Sequence, residues 1–345
     1  MFKSTKGGWL TALIFPFILT AYAQTEQTLR EQANFPVGVA VRPSRLAQPE
    51  YAAVVAREFS SLTAENAMKP KYTWLSEDRY DFGPGDSIVA FARAHDMQVH
   101  GHTLVWHFMP PQWLEDSLPT YDSARLENML REYIYTVAGH YRGRVASWDV
   151  VNEVISDSVG LRQSEYYRIL GPDYPARLFQ YARQADPDAL LFYNDYSMVS
   201  DPKKFQTTLA MIDGFLTRGI PIDGVGLQMH IELDTPLENL QTAVNEIVKR
   251  GLKVHLSEID IKANPKGETN RLTEALAEAQ REKLREIVRI CNAIPKENQF
   301  AITFWGLRDN ESWLNTFTDY PQWPLLFDEQ YAKKPMYEGF LEGLK

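Results

Sequence analysis

Trp148-Asp149-Val150-Val151-Asn152-Glu153 reads as a short buried strand that ends abruptly in an amide and a carboxylate. Strands usually run out into Gly, Pro or Ser as the chain turns away. Polar, ionisable groups at the carboxyl end of an apolar strand are where barrels and open α/β sheets place their chemistry. Alone, the hexamer leaves two readings open: Asn152 caps the next segment and Glu153 is solvated, or both belong to a site. A second strand, Val254-His255-Leu256-Ser257-Glu258, ends the same way about a hundred residues later.

Outward from this strand, apolar runs of strand length alternate with helical patterns. The spacing predicts strands at 35–40, 60–63, 98–105, 145–151, 190–193, 224–229, 253–257 and 300–304. Helices are predicted at 49–59, 86–95, 123–141, 175–185, 202–218, 237–250, 272–293 and 334–341. In the helix at 237–250, Leu240, Val244, Ile247 and Val248 recur at helical spacing and mark its core face. Eight strands, each followed by a helix, are the pattern of an α/β protein with a (β/α)8 TIM barrel. A doubly wound sheet would want a glycine-rich phosphate turn after its first strand, and Val37-Gly38-Val39-Ala40-Val41 lacks that spacing.

Residues 1–23 read as a cleaved secretory signal. Lys3 and Lys6 make a basic start, 9–20 is an apolar run, and Ala21-Tyr22-Ala23 fits the small-x-small cleavage pattern. A dozen apolar residues interrupted by Pro16 is short for a membrane span. The expectation is a secreted or periplasmic protein with no membrane attachment after cleavage. The remainder, 24–345, carries no low-complexity stretch and no linker, and reads as one continuous domain. Roughly 320 residues suffice for one large barrel. Cys291 is the one cysteine, so no intramolecular disulfide forms and stability rests on core burial. A net charge of −9 argues against nucleic acid as a partner. Tyr, Phe and Trp make up 12% of the chain, which suits flat apolar ligand faces such as sugars, although core packing also consumes aromatics.

Every predicted strand after the first ends in polar and aromatic residues. They are Thr63-Ala64-Glu65-Asn66-Ala67-Met68-Lys69, Gly101-His102-Thr103-Leu104-Val105-Trp106-His107, Asn152-Glu153, Asn194-Asp195-Tyr196, Gln228-Met229-His230, Glu258-Ile259-Asp260 and Trp305-Gly306-Leu307-Arg308-Asp309. Any one of them could be a cap or an ion pair. Seven in succession on one predicted rim describe a binding face. Glu258 and Asp260 lie two apart on an extended strand, hence on the same side. That places Asp260 where it could hold His230, whose other ring nitrogen would face Glu258.

In order and on successive strand ends, these segments make the chain resemble a glycoside hydrolase family 10 endo-β-1,4-xylanase. Tyr193-Asn194-Asp195-Tyr196, Gly226-Leu227-Gln228-Met229-His230, Phe304-Trp305-Gly306-Leu307-Arg308-Asp309 and Ser312-Trp313 strengthen the match, which runs from about 35 to 340. The resemblance implies hydrolysis of xylan with retention of configuration, Glu153 as acid/base and Glu258 as nucleophile. It implies support from His230, Asp260, Asn152 and Gln228. Asn152 would meet the sugar 2-hydroxyl, and Gln228 would bond the nucleophile or that sugar. His102 and Trp106 would line the same subsite, with Trp305 and Trp313 as its walls. Glu65, Asn66 and Lys69 would bind the next xylose on the glycone side, and Tyr196 would stack towards the leaving group. Xylan or xylo-oligosaccharide is then the partner, a monomer is expected, and no cofactor is called for.

One departure stands out: the family usually has a glutamine where Met109 stands, and a thioether is a poor hydrogen-bond acceptor. Three other readings compete. A retaining hydrolase of another β-glycan shares the two glutamates, but is not expected to carry the Glu65-Asn66-Lys69 set. A metal-dependent hydrolase could use His100, His102 and His107. His100 falls well before the strand end, however, and no bridging Lys or Asp is evident, so no metal is expected. A non-catalytic glycan binder would not need both glutamates with their supporting residues.

Overall fold

A computed structural model describes residues 1–2, 27–158 and 160–345. Of the secretory signal expected at 1–23, residues 3–23 lie outside the described residues. Eight parallel strands form the frame: β1 (Val37–Val41), β2 (Ser61–Ala64), β3 (Gln98–Gly101), β4 (Ser147–Asn152), β5 (Leu190–Asp195), β6 (Gly224–Glu232), β7 (Lys253–Lys262) and β8 (Gln299–Phe304). One principal helix follows each in turn: α1 (Pro49–Glu58), α2 (Gly83–Ala94), α3 (Ser123–Tyr141), α4 (Tyr174–Ala185), α5 (Pro202–Thr217), α6 (Leu237–Lys249), α7 (Glu274–Asn292) and α8 (Pro335–Gly343). Each strand pairs with its sequence neighbours. The pairing of β8 with β1 (Ile302 with Val37) closes the ring of a (β/α)8 barrel.

The strands are buried on both faces by barrel interior and helices, which is why they read as near-continuous apolar runs. In α3, Leu126, Leu130, Tyr133, Ile134, Val137 and Tyr141 recur every three or four residues and form the buried face. Asp122 caps this helix by accepting from the Arg125 N–H at 2.8 Å. The outward-facing Trp148 of β4 lies directly over Gly101 of β3, where a Cβ would come within 2.2 Å of the indole. Around the ring, the Tyr337 hydroxyl of α8 donates to the buried Glu58 of α1 at 2.6 Å. Among the described residues no helix is long and apolar enough to cross a membrane.

Three strands depart from expectation. The strand expected at 98–105 breaks after Gly101 and resumes only at Val105–Trp106, which pairs with Val151 and Asn152. Between the two pieces, the Leu104 N–H and the Thr103 hydroxyl both donate to the Asp149 carbonyl, at 3.0 and 2.9 Å. The backbone thus steps out of the ladder and leaves His102 beside Asp149. Strands β6 and β7 outrun their expected ends at 229 and 257 and stay paired to Glu232 and Lys262, above the ring. Glu258 therefore lies inside a strand, in a bulge where the register slips between Ser257 and Asp260.

Candidate active site

The C-terminal rim encloses a cleft of about 590 Å³. Glu153 stands just beyond β4 and Glu258 in the β7 bulge, and both take left-handed backbone angles, with φ of +59° and +54°. Both side chains line the cleft. Glu153 accepts from the Trp106 indole at 2.9 Å on Oε2, and from Asn152 at 3.1 Å and Gln228 at 3.2 Å on Oε1. Glu258 accepts from the Asn194 amide at 2.7 Å on Oε1 and faces His230 Nε2 at 3.1 Å on Oε2.

Their protonation is driven apart. Burial pushes the Glu153 carboxyl up to about 7, and the negative charges of Asp195 and Glu258 add to the shift. Burial also acts on Glu258. There the hydrogen bond from His230, with the charges of His102, His230 and Lys69, outweighs burial and holds the carboxyl below its usual range. His230 is itself held as a cation. Burial opposes its charge, but Asp260 at 2.7 Å on Nδ1 and Glu258 on Nε2 raise its pKa to about 10. The Trp313 indole donates to the same Asp260 oxygen at 2.7 Å and so fixes the far end of the chain.

The remaining expected residues gather round these two. The Asn152 carbonyl oxygen accepts from Asn194 and Gln228 at 3.0 and 3.3 Å. With its amide on Glu153, Asn152 keeps one N–H for a ligand. His102 Nδ1 is 2.8 Å from Asp149, leaving Nε2 for the cleft. Glu65 is forked by Arg42, with Nε at 2.6 Å, and also accepts from Asn66 at 3.4 Å. Lys69 donates to Asn66 at 3.3 Å, with its ammonium 5.0 Å from the Trp106 ring and 5.8 Å from the Trp305 ring. Tyr196 lines the cleft beside Arg162.

All fourteen expected side chains but Asp260 line the cleft, and Asp260 reaches it through His230. Of the two partners expected for Gln228, the nucleophile is corrected: its amide bonds Glu153 and Asn152 and not Glu258, because Gln228 lies opposite Ser257, before the bulge that carries Glu258. His100 and His102 both turn a ring nitrogen to Asp149, at 3.0 and 2.8 Å, which is not the convergence a metal centre would need. Met109 is not among the cleft-lining residues. Its neighbour Phe108 is, and stands 70% exposed.

Four contributors escaped the sequence reading. Asn194 joins the two halves of the site through Asn152 and Glu258, and its oxygen accepts from Ser257 at 2.6 Å. Arg162 grips the Glu153 carbonyl at 3.0 Å. Asp149 orients His102, and Phe317 lies on the rim against Trp313, with ring centroids 4.9 Å apart. Asn194 and Asp149 stood in the quoted strand-end motifs, and that was the signal available.

A closed barrel whose rim holds two carboxyl groups, one raised and one lowered in pKa, in an indole-walled cleft has the parts of a glycoside hydrolase. The family model for "Glycosyl hydrolase family 10" matches residues 26–343, and the chain belongs to that family. Endo-1,4-beta-xylanase B of Thermotoga neapolitana is 38% identical over 320 residues, covering 92% of this chain and 90% of that protein. Exoglucanase XynX of Acetivibrio thermocellus is 36% identical over 324 residues, covering 90% of this chain and 29% of that protein. Other relatives are also longer proteins, of which the chain spans 27% and 57%. The crystal structure of xylanase 10B from Thermotoga petrophila RKU-1 in complex with xylobiose superposes with a TM-score of 0.86 at 36% identity, covering 92% of this chain and 97% of that one.

Proposed function

We propose that this protein is an endo-acting β-1,4-xylanase that cuts xylan with retention of configuration. The observation that carries the proposal is the placing of two carboxyls on one cleft in opposite settings, Glu153 held by Trp106, Asn152 and Gln228 and Glu258 by Asn194 and the Asp260-fixed His230. The ionised Glu258 attacks the anomeric carbon while Glu153 gives its proton to the departing glycosidic oxygen, leaving a glycosyl ester on Glu258. Water then attacks the same carbon, Glu153 takes its proton, and the Glu258 carboxylate departs. His230, fixed by Asp260, keeps Glu258 ionised and in place. Asn152 offers its remaining N–H to the 2-hydroxyl, a bond that strengthens as oxocarbenium character develops. Gln228 and Trp106 hold Glu153, while His102, Trp305 and Trp313 enclose the same sugar. Glu65, Asn66 and Lys69 bind the next sugar on the glycone side, and Tyr196 meets the leaving group.

Two tests bear on this reading. Proton NMR of xylo-oligosaccharide hydrolysis should show the β-anomer forming first, and an α-anomer product would overturn the retaining mechanism. Xylan, cellulose and mannan compared side by side should show preference for xylan, since the family resemblance makes Glu65, Asn66 and Lys69 a set that suits a sugar without a hydroxymethyl group. Preference for cellulose would move the assignment to the glucan-cutting branch that Exoglucanase XynX represents. The basic and apolar pattern of 1–23 supports secretion of a processed chain starting near Gln24. The mass of the exported protein tests that, and light scattering tests the expected monomer.

A further inference from the structure

On the β5 side of the cleft, one buried cation serves no catalytic step. Lys204, near the start of α5, has a side chain only 1% exposed. An ammonium has three N–H donors, and Lys204 meets three acceptors. They are Asp195 at 3.0 Å, Asp157 at 3.3 Å and the face of the Tyr196 ring, 3.3 Å from its centroid. Tyr196 is held at both ends. Its N–H donates to Asp195 at 2.8 Å, and its hydroxyl donates to Asp157 at 2.9 Å while accepting from Arg162 at 2.9 Å. Arg162 in turn donates to the carbonyls of Glu153 and Ile155, at 3.0 and 3.3 Å.

Asp157 is the outlying member, with a side chain 68% exposed. It stands in the loop after β4, which folds back on itself through the Arg162 N–H on the Val154 carbonyl at 2.7 Å and the Ser156 N–H on the Gly160 carbonyl at 2.9 Å. Solvent at the Asp157 end screens the pair and limits what it adds to stability. Its effect is geometric, because it spans from the loop that begins at Glu153 to the aromatic wall on β5.

We propose that Asp157 and Lys204 form a clasp that fixes Tyr196 as a rigid wall for the first sugar on the leaving-group side, making both of them positioning residues. The inference rests on the xylanase reading above. A ring already immobilised loses little freedom when a sugar docks on it. The clasp therefore acts on substrates with a sugar leaving group and not on those with an aryl one.

The test compares xylotetraose with 4-nitrophenyl β-xylobioside, whose acidic nitrophenol departs without needing a sugar docked on that wall. Asp157→Ala should lower kcat/KM on xylotetraose about tenfold, through KM, and leave the aryl substrate within about twofold. Tyr196→Phe, which removes the clasped hydroxyl but keeps the ring, should likewise lower kcat/KM on xylotetraose. The double variant should lose less than the two single losses combined, because both changes break the Asp157–Tyr196 contact. Equal losses on both substrates, no loss on xylotetraose, or additive losses in the double variant would each overturn the clasp. A wild-type protein that cuts neither substrate would overturn the xylanase reading, and the clasp with it.

Discussion

Glu153 meets an indole and two amide donors in a buried setting next to negative charge, whereas Glu258 meets an amide and a cationic imidazole. If Glu153 must carry a proton, kcat/KM should fall as pH rises through about 7. The acid limb should lie below the ordinary glutamate range, because Glu258 holds its charge there. A pH profile on a xylo-oligosaccharide reads both limbs. His230→Ala should raise the acid limb and lower kcat roughly 100-fold, since it removes the cation that keeps Glu258 ionised. The same shifts act on stability. A carboxyl whose folded pKa is raised to about 7 favours the fold below its unfolded value near 4.5, and that contribution is lost as pH rises through about 7. Glu153→Gln, which cannot ionise, should therefore melt above the wild type at pH 8 and level with it at pH 4. Most of this residue-level picture was legible: Glu153, Glu258 and the His230–Asp260 pair were all found at strand ends. Asn194 was not, because its role depends on three partners from two other strands that only the closed ring brings together.

Among the elements, β6 shows how the site is accommodated. Gly226 faces Asn194 across the ladder, and a Cβ there would come within 2.2 Å of the Asn194 amide oxygen. Gly226→Ala should push Asn194 off Glu258 and Asn152 and lower kcat by roughly 10- to 100-fold with little change in KM. The overpacking should cost about 1–3 kcal/mol, which a denaturant melt would register. The long helices were easy to read. α3 spans the expected 123–141, where apolar residues recur at helical spacing from Leu126 to Tyr141. Strand ends were harder. Periodicity could not see that β6 and β7 continue above the ring, or that β3 breaks where Thr103 and Leu104 turn to the Asp149 carbonyl. The two-apart placement of Glu258 and Asp260 gave the right partner for His230 although the bulge interrupts strict alternation between them. The short hairpin Trp74–Ser76 with Arg79–Tyr80 and the one-and-a-half-turn helix Glu165–Leu170 are too brief for periodicity to register.

For the molecule as a whole, stability has to come from core burial, since the lone Cys291 is fully buried in α7 and burial pushes its thiol up to about 12. A thiol reagent should leave it unmodified until the protein unfolds, and reducing agent should not move the melting temperature. Mass spectrometry across a melt checks the first and calorimetry the second. The barrel frame was legible because eight strand–helix repeats admit few arrangements. How polar groups would fill the interior was not, because pairs such as His100 and His255, with ring centroids 4.8 Å apart, come from strands distant in sequence.

The two glutamates share one further property: each sits on a left-handed backbone, which an L-residue adopts at a cost of about 1 kcal/mol or more. The fold thus holds the two carboxyls proposed to react in local conformations that a glycine would take more readily. Glycine at 153 or 258 should accordingly give a dead protein that melts higher than the alanine variant at the same position. Selection for thermal stability alone, without selection for turnover, would be expected to erode these two positions towards glycine.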